Sequence, residues 1–340
     1  MTTARYAELA RVTRNGFVES RHYGSVVVLD PSGAVALRAG VPDEPVLPRS
    51  TLKPVQALAC LTAATAADPA SPAAASLAGP ALAIAAGSHT GDDRHVAVVR
   101  ELLTAAGLTE AALGCPVDWP EDEATRERLI RAGEQRSRIR MNCSGKHAAM
   151  LVAAVARGWS TRDYLDPAHP LQREIAASVA RLAGTPVTAV AVDGCGAPLF
   201  GLPLTGLART FQALATARPG SDEARVAEAM RQHPEHVGGW HGHPNTDLMR
   251  ALPGLLAKGG AEGVLGVATP DGYAVAVKVI DGSPRATSSI ALAALTAAGA
   301  AVDGAPELRR VPVLGGGEPV GAVDAAIDWT AGTPRTERED

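Results

Sequence analysis

Lysine is scarce in this 340-residue chain. Of its 32 basic residues only Lys53, Lys146, Lys258 and Lys278 are lysines, and arginine supplies the rest of the positive charge. An arginine guanidinium keeps its proton in a protein, whereas a lysine amine can lose its own when the surroundings favour the neutral form. The few lysines are therefore the residues to examine for amine chemistry. Cysteine is equally sparse. Four thiols, Cys60, Cys115, Cys143 and Cys195, are too few for a disulfide framework in a chain of this size. Excess positive charge is lacking: the formal net charge is -4, and nothing in it points to nucleic acid or to an anionic membrane. Long apolar runs are missing as well. The Ala- and Leu-rich stretch 73–86 is broken by Pro80 and is too short to span a bilayer. Residues 1–6 show no basic region ahead of an apolar stretch, so the expected location is the cytoplasm. Repeats, heptads and Gly-rich phosphate loops are absent too. What is present is 46% hydrophobic residues, over a length that supports a sizeable core.

The order of elements reads as α+β. Residues 10–48 alternate as antiparallel strands with a turn at Pro31-Ser32-Gly33, and 51–67 reads as a buried, Ala-rich helix. Residues 69–80 form a Pro/Ser/Ala linker, and 81–86 is a short apolar run, a strand or a buried helix end. Helices are expected at about 92–107, 122–134, 145–157, 171–182 and 223–232, and a strand at 187–192. Segments 263–268 and 273–280 pair across Pro270-Asp271-Gly272, and 287–298 is a closing helix. This predicts an antiparallel sheet formed by both chain ends, from about 10–48 and 263–300, with a mainly helical region at 51–262. A single catalytic unit over 1–330 and a polar tail at 331–340 are expected.

Five short segments could carry chemistry. In Pro48-Arg49-Ser50-Thr51-Leu52-Lys53, the i, i+3 spacing puts the Lys53 amine within reach of the Ser50 hydroxyl at a helix start. A serine needs a base to become a nucleophile, and S-x-x-K is the spacing used by penicillin-binding proteins and serine β-lactamases. Gly87-Ser88-His89-Thr90 ends an apolar run in small polar residues, with Ser88 or Thr90 available as the cap of the next helix. Asn142-Cys143-Ser144-Gly145-Lys146-His147 crowds functional groups between two helices, and Asp193-Gly194-Cys195-Gly196 ends a strand. Cys143 and Cys195 could hold a metal through thiolates, remain free thiols, or pair. Lys258 precedes paired glycines, as in the Lys-(Thr/Ser)-Gly element of the β-lactamase fold, or is a charged loop residue. Lys278 reads as structural, on an edge. His233, His241 and His243 could suggest a metal, but no regular element aligns them, so 233–243 reads as a surface or substrate loop.

Taken together, these segments resemble the asparaginase II-type family, over nearly the whole chain. The resemblance rests on Arg49-Ser50-x-x-Lys53-Pro54, Ser88-His89 with Asp93-Arg94-His95, Asn142 through His147, Asp193-Gly194-Cys195, His233-Pro234-Glu235 and Lys258-x-Gly260. The loop 240–247 departs from the family pattern, of which only Thr246-Asp247-Leu248-Met249 is retained. The resemblance implies a serine β-lactamase-like fold and hydrolysis of L-asparagine to L-aspartate and ammonia. It implies Ser50 with Lys53 and Ser88 with Lys258 as two catalytic pairs; the mechanism expected of them has neutral Lys53 as the base that takes the Ser50 proton. Arg49, His89, Asn142 and Asp193 would line the substrate. Cys143, Lys146 and Cys195 would hold zinc, and the assembly would be a homodimer. Two other readings stay open: another acyl hydrolase of that fold, and a zinc-binding protein without activity.

Overall fold

The computed structural model describes residues 5–329; the expected tail at 331–340 lies outside them. Eleven strands are present among these residues: β1 (Ala7–Arg14), β2 (Phe17–Leu29), β3 (Val35–Ala39), β4 (Pro45–Val46), β5 (Ala189–Val192), β6 (Pro198–Pro203), β7 (Leu256–Gly260), β8 (Val264–Ala268), β9 (Ala274–Val279), β10 (Arg310–Gly315) and β11 (Glu318–Ala325). Eight of them form one antiparallel sheet in the order β10-β11-β1-β2-β9-β8-β7, with β3 on β2. Both chain ends contribute, as the α+β expectation required. The β8–β9 hairpin pairs Ala268 with Ala274 across the expected turn.

Residue type explains which strands lie deepest. Val26 to Leu29 of β2, all of β8, and every residue of β9 except Lys278 are buried, with no alternation of exposed positions. Strands of this kind are covered on both faces. The helices Leu204–Ala215 and Thr287–Ala297 both pack on β9. Lys278 stands near the end of this interior strand, not on an edge, and donates to the carbonyls of Glu262 and Val279.

Several expectations need correction. The sheet extends further than 263–300, because β7 and the β10–β11 hairpin join it. The strand expected at 187–192 is β5, and β6, which was not expected, joins it to β4 in a small antiparallel sheet. The linker at 69–80 contains the helix Pro72–Ser76, capped by the Ser71 side chain. The run at 81–86 takes one of its two expected forms, the buried end of a helix, Gly79–Ala85. Neither Ser88 nor Thr90 caps the next helix, Asp93–Ala105; the Asp92 carboxylate does so, accepting from His95 N at 3.0 Å. Ser88 is thereby left for other work.

The helix Lys53–Ala67 is buried along most of its length and packs against Ser144–Ala156, also buried and Ala-rich. Small side chains let two such helices approach closely, and between them they aim Lys53 and Lys146 into one region. A close fit of helix on sheet is at Gly266, where a Cβ would lie 2.3 Å from the ring of the buried Phe211. Gly266→Ala should therefore destabilise the fold by about 1–3 kcal/mol in urea denaturation, and adding Phe211→Leu should recover part of the loss.

Candidate active site

The chain leaves β4 through Pro48 and enters a 3₁₀ turn, Arg49–Leu52, before the helix begins at Lys53. Ser50 is therefore not an N-cap: no side chain caps this turn, and the Ser50 carbonyl accepts from Lys53 N. Arg49 stands in the left-handed region, at φ 55°, a conformation that costs free energy in a residue with a side chain. Its guanidinium is held at 2.8 Å by the Asp193 carboxylate. That ion pair anchors the turn that presents Ser50. Gly260 of β7 presses against the same turn, and a Cβ there would sit 2.7 Å from Pro48 O and 3.1 Å from Ser50 N.

A cavity of about 390 Å³ opens beside this turn, and Ser50, Ser88, Asn142, Lys258, Glu121, His243 and Asn245 are in its wall. Ser88 follows the helix Gly79–Ala85 in an extended segment, its amide bonded to Val237 O at 2.8 Å. Its hydroxyl lies 2.9 Å from Lys53 Nζ and 3.0 Å from Lys258 Nζ. The expected pairing thus differs in detail. The Lys53 amine meets Ser88 and the Asn142 carbonyl, at 3.4 Å, and among the described residues no side-chain hydrogen bond joins it to the Ser50 hydroxyl. The reason is direction: from the first position of the helix, the long Lys53 side chain runs inward.

Lys258 is not a loop residue. It sits on β7 with no exposed surface, and its amine also donates to the Gly259 carbonyl at 2.5 Å. Burial lowers its pKa well below the ordinary lysine range, and the nearby Lys53 charge acts in the same direction. Lys258 is accordingly the amine held towards the neutral form. As an ammonium it donates to Ser88; as a free amine it accepts the Ser88 proton.

Asn142 ties this group to a second one. Its carbonyl receives Lys53, its side-chain amide donates to Glu121 at 2.6 Å, and its side-chain oxygen accepts from the Cys143 thiol at 3.2 Å. Lys146 Nζ is 3.0 Å from Cys195 Sγ, and donor atoms of Cys143, Asp193 and Cys195 all lie within 4.8 Å of one another. All four cysteines are free thiols, so a Cys143–Cys195 disulfide is not formed. A hydrogen bond from Cys195 lowers the Cys143 pKa well below the thiol range, against burial and with help from Lys53 and Lys146. Cys195 is pushed up by its bond to Cys143 and by burial. Burial disfavours the Lys146 ammonium, but the two sulfurs outweigh it and raise its pKa. Burial also opposes the Asp193 carboxylate, yet the Lys146 charge and the Arg49 bond prevail and lower its pKa. Two sulfurs and one carboxylate in this space make a donor set that fits a metal ion, and Lys146 can join it only after its amine gives up its proton.

Three expected substrate residues, Arg49, His89 and Asp193, stand apart from the cavity wall. Arg49 is engaged with Asp193. His89 is fully buried behind the wall: its Nε2 meets Ser144 Oγ at 2.9 Å, and its amide donates to Asn142 O at 3.2 Å. It positions the Asn142 turn. Conversely, Glu121 and Asn245 line the cavity without having been singled out, and His243 joins them from the histidine stretch. Asn245 accepts from Gly259 N at 2.7 Å and so steadies the strand of Lys258. Burial, with the Lys258 charge next, lowers the His243 pKa to about 4. The histidine stretch gave a weak signal for His243; Glu121 gave none. The segment 233–243 is only partly loop, since Pro234–Val237 is a helical turn and Pro244–Ala251 a helix.

Because Gly260 touches backbone rather than a flexible side chain, Gly260→Ala must displace the Ser50 turn. Expected is a loss of about 10²-fold in kcat/KM for whichever acyl substrate the enzyme turns over, with the urea midpoint little changed; steady-state kinetics beside denaturation checks this.

The model of the L-asparaginase II family matches residues 10–325. No curated protein matches the chain. Among solved structures it is similar to a β-lactamase from Mycobacterium bovis, with 14% identity, a TM-score of 0.45, and coverage of 81% of this chain and 94% of that one. It is also similar to the protein titled Mglu in its native form, with 15% identity, a TM-score of 0.44, and 80% of this chain covered. There the match spans 63% of the other chain, less than two thirds of its length. No helix among the described residues is long and apolar enough to cross a membrane. With 10–325 matched from the first strand of the sheet to its last, this chain belongs to the L-asparaginase II family.

Proposed function

We propose that the chain is an L-asparagine amidohydrolase that releases ammonia and L-aspartate through a serine acyl-enzyme. The observation that carries this reading is the Ser88 hydroxyl, held between two buried amines on the wall that Ser50 shares. A hydroxyl placed between one amine and another held towards neutrality can accept from the first and donate to the second, which makes a proton relay. Ser50 attacks the side-chain amide carbon, and its proton passes into the Lys53–Ser88–Lys258 group. The same group returns a proton to the nitrogen as the C–N bond breaks and ammonia leaves. Water then cleaves the ester, frees L-aspartate and restores Ser50. Glu121, the carboxylate in the cavity wall, meets the substrate ammonium. Cys143, Lys146 and Cys195, with Asp193, would hold zinc, Lys146 as the neutral amine that has given up its proton, and the ion's positive charge can polarise a nearby carbonyl or orient water.

A second reading has its own support, because Ser88 and not Ser50 is the serine bonded to both lysines. In that reading Ser88 attacks and Ser50 positions the substrate. Ser50→Ala should lower ammonia release from asparagine by about 10³-fold or more. Peptide mapping of the acid-quenched acyl adduct should place it on Ser50. An adduct on Ser88, or wild-type turnover by Ser50→Ala, transfers the nucleophile to Ser88. Wild-type protein that hydrolyses nitrocefin or p-nitrophenyl esters, but releases no ammonia from asparagine, overturns the substrate assignment.

The lowered pKa of Lys258 sets a pH dependence. Protonated Lys258 cannot take the Ser88 proton, so kcat/KM should fall as pH drops through that lowered value. Stability should follow the same direction. Between the folded and unfolded pKa of Lys258 the unfolded chain binds the extra proton, so stability rises with pH across that window. Urea midpoints over a pH series, for wild type and Lys258→Met, check this: the variant should lose that part of the rise.

A further inference from the structure

A second set of donor atoms gathers away from the cavity, in the turn that follows the helix Asp222–Gln232. His233, Glu235 and His236 each bring one donor atom to a common point, and all three lie within 4.8 Å of one another. Glu235 Oε1 is 3.9 Å from His233 Nδ1 and 3.4 Å from His236 Nδ1. His236 is buried, with 7% of its surface exposed, and its Nδ1 has no hydrogen-bond partner. A buried ring nitrogen left without a partner costs free energy and calls for an explanation. The other Glu235 oxygen, Oε2, accepts from Arg250 at 3.1 Å, which fixes the carboxylate and leaves Oε1 facing the two rings. His233 keeps 29% of its side chain exposed, so the point is open to solvent on that side.

These spacings are close to those of a coordination sphere. Ligands about 2.0–2.1 Å from a tetrahedral zinc lie ~3.3 Å apart, so small side-chain rotations would bring the three atoms onto one ion. We propose that His233, Glu235 and His236 form a second metal site, distinct from the cysteine cluster, that takes a divalent transition cation. Imidazole and carboxylate donors suit zinc, nickel or copper(II), and water completes the sphere. The site's place in the fold gives the ion a structural part. The Glu235 carbonyl meets His95 Nε2 at 2.9 Å, and the next carbonyls, of Val237 and Gly238, accept from Ser88 N and Thr90 N at 2.8 and 3.0 Å. A cation that ties the turn together stiffens the backbone that holds Ser88, without touching substrate.

Cobalt(II) titration of the full, chelator-stripped chain tests the site, because its spectrum reports the donor type. Thiolate-to-cobalt charge transfer can arise only from the cysteines. In Cys143→Ser/Cys195→Ser that band should vanish, while one cobalt per chain still binds with d–d absorption alone. Adding His233→Gln should weaken this binding by about 10²-fold, and Glu235→Gln instead by about tenfold or more. Zinc should raise the thermal midpoint of the double-serine protein and not of its His233→Gln derivative. If the double-serine protein does not fold, His233→Gln alone should lower the bound cobalt by one per chain, with that site's share of the d–d absorption, and leave any charge-transfer band intact. Absence of cobalt binding without thiolate character, or binding unchanged by His233→Gln, overturns the proposal.

Discussion

Three lysine amines are buried within one small region, and the rest of the site is arranged around that cost. Lys53, Lys146 and Lys258 expose 1%, 2% and 0% of their surface. An ammonium removed from water without partners is among the most unfavourable groups a fold can contain. Each lysine has a different remedy. Lys146 is matched by sulfur and carboxylate and stays charged. Lys53 is shared between Ser88 and the Asn142 carbonyl. Lys258 has the Ser88 hydroxyl and one carbonyl, and it moves towards the neutral form. The last remedy is the one with chemical use, since it leaves a base beside a hydroxyl inside a closed wall.

The three remedies are not independent. Asn142 stands where they meet: its backbone receives Lys53, its side chain receives the Cys143 thiol, and its amide holds Glu121. The Asn142 turn is fixed in turn by His89, whose ring grips Ser144 from behind. On the other side, Asp193 faces both the thiol cluster and Arg49, and so links the metal-binding candidates to the strained turn of Ser50. A change at the cysteines therefore reaches the serines through side chains that carry no chemistry of their own. Close backbone approach makes this compactness possible: a Cβ at Gly87 would lie 2.4 Å from His236 O, and one at Gly145 2.7 Å from Ile84 O.

Much of this was legible in the order of residues. The chain ends read as strands because Val-rich segments are bounded by Gly, Pro and Asp turns, and the amphipathic helices read true because one face needs burial. The four lysines of an arginine-biased chain marked the chemistry: three of them lie in the buried cluster, and Lys278 does not. Strand β7 was not legible, since Lys258-Gly259-Gly260 looks like a loop until Asn245 bonds its backbone and β8 pairs with it. Nor were β10 and β11, whose sequence carries Pro, Gly and charge at one edge of the sheet.

What the sequence determined by itself was the inventory: which side chains could act, the family they belong to, and the α+β frame. Which amine meets which hydroxyl was decided only by the tertiary structure. Ser50 and Lys53 are neighbours along the chain, and local spacing alone would pair them. Yet the helix sends Lys53 inward, where Ser88 arrives from 35 residues further along the chain and Lys258 from 170 residues beyond Ser88. Proton affinity depends on burial and on the charges that converge in space, and neither quantity is written in any stretch of the chain.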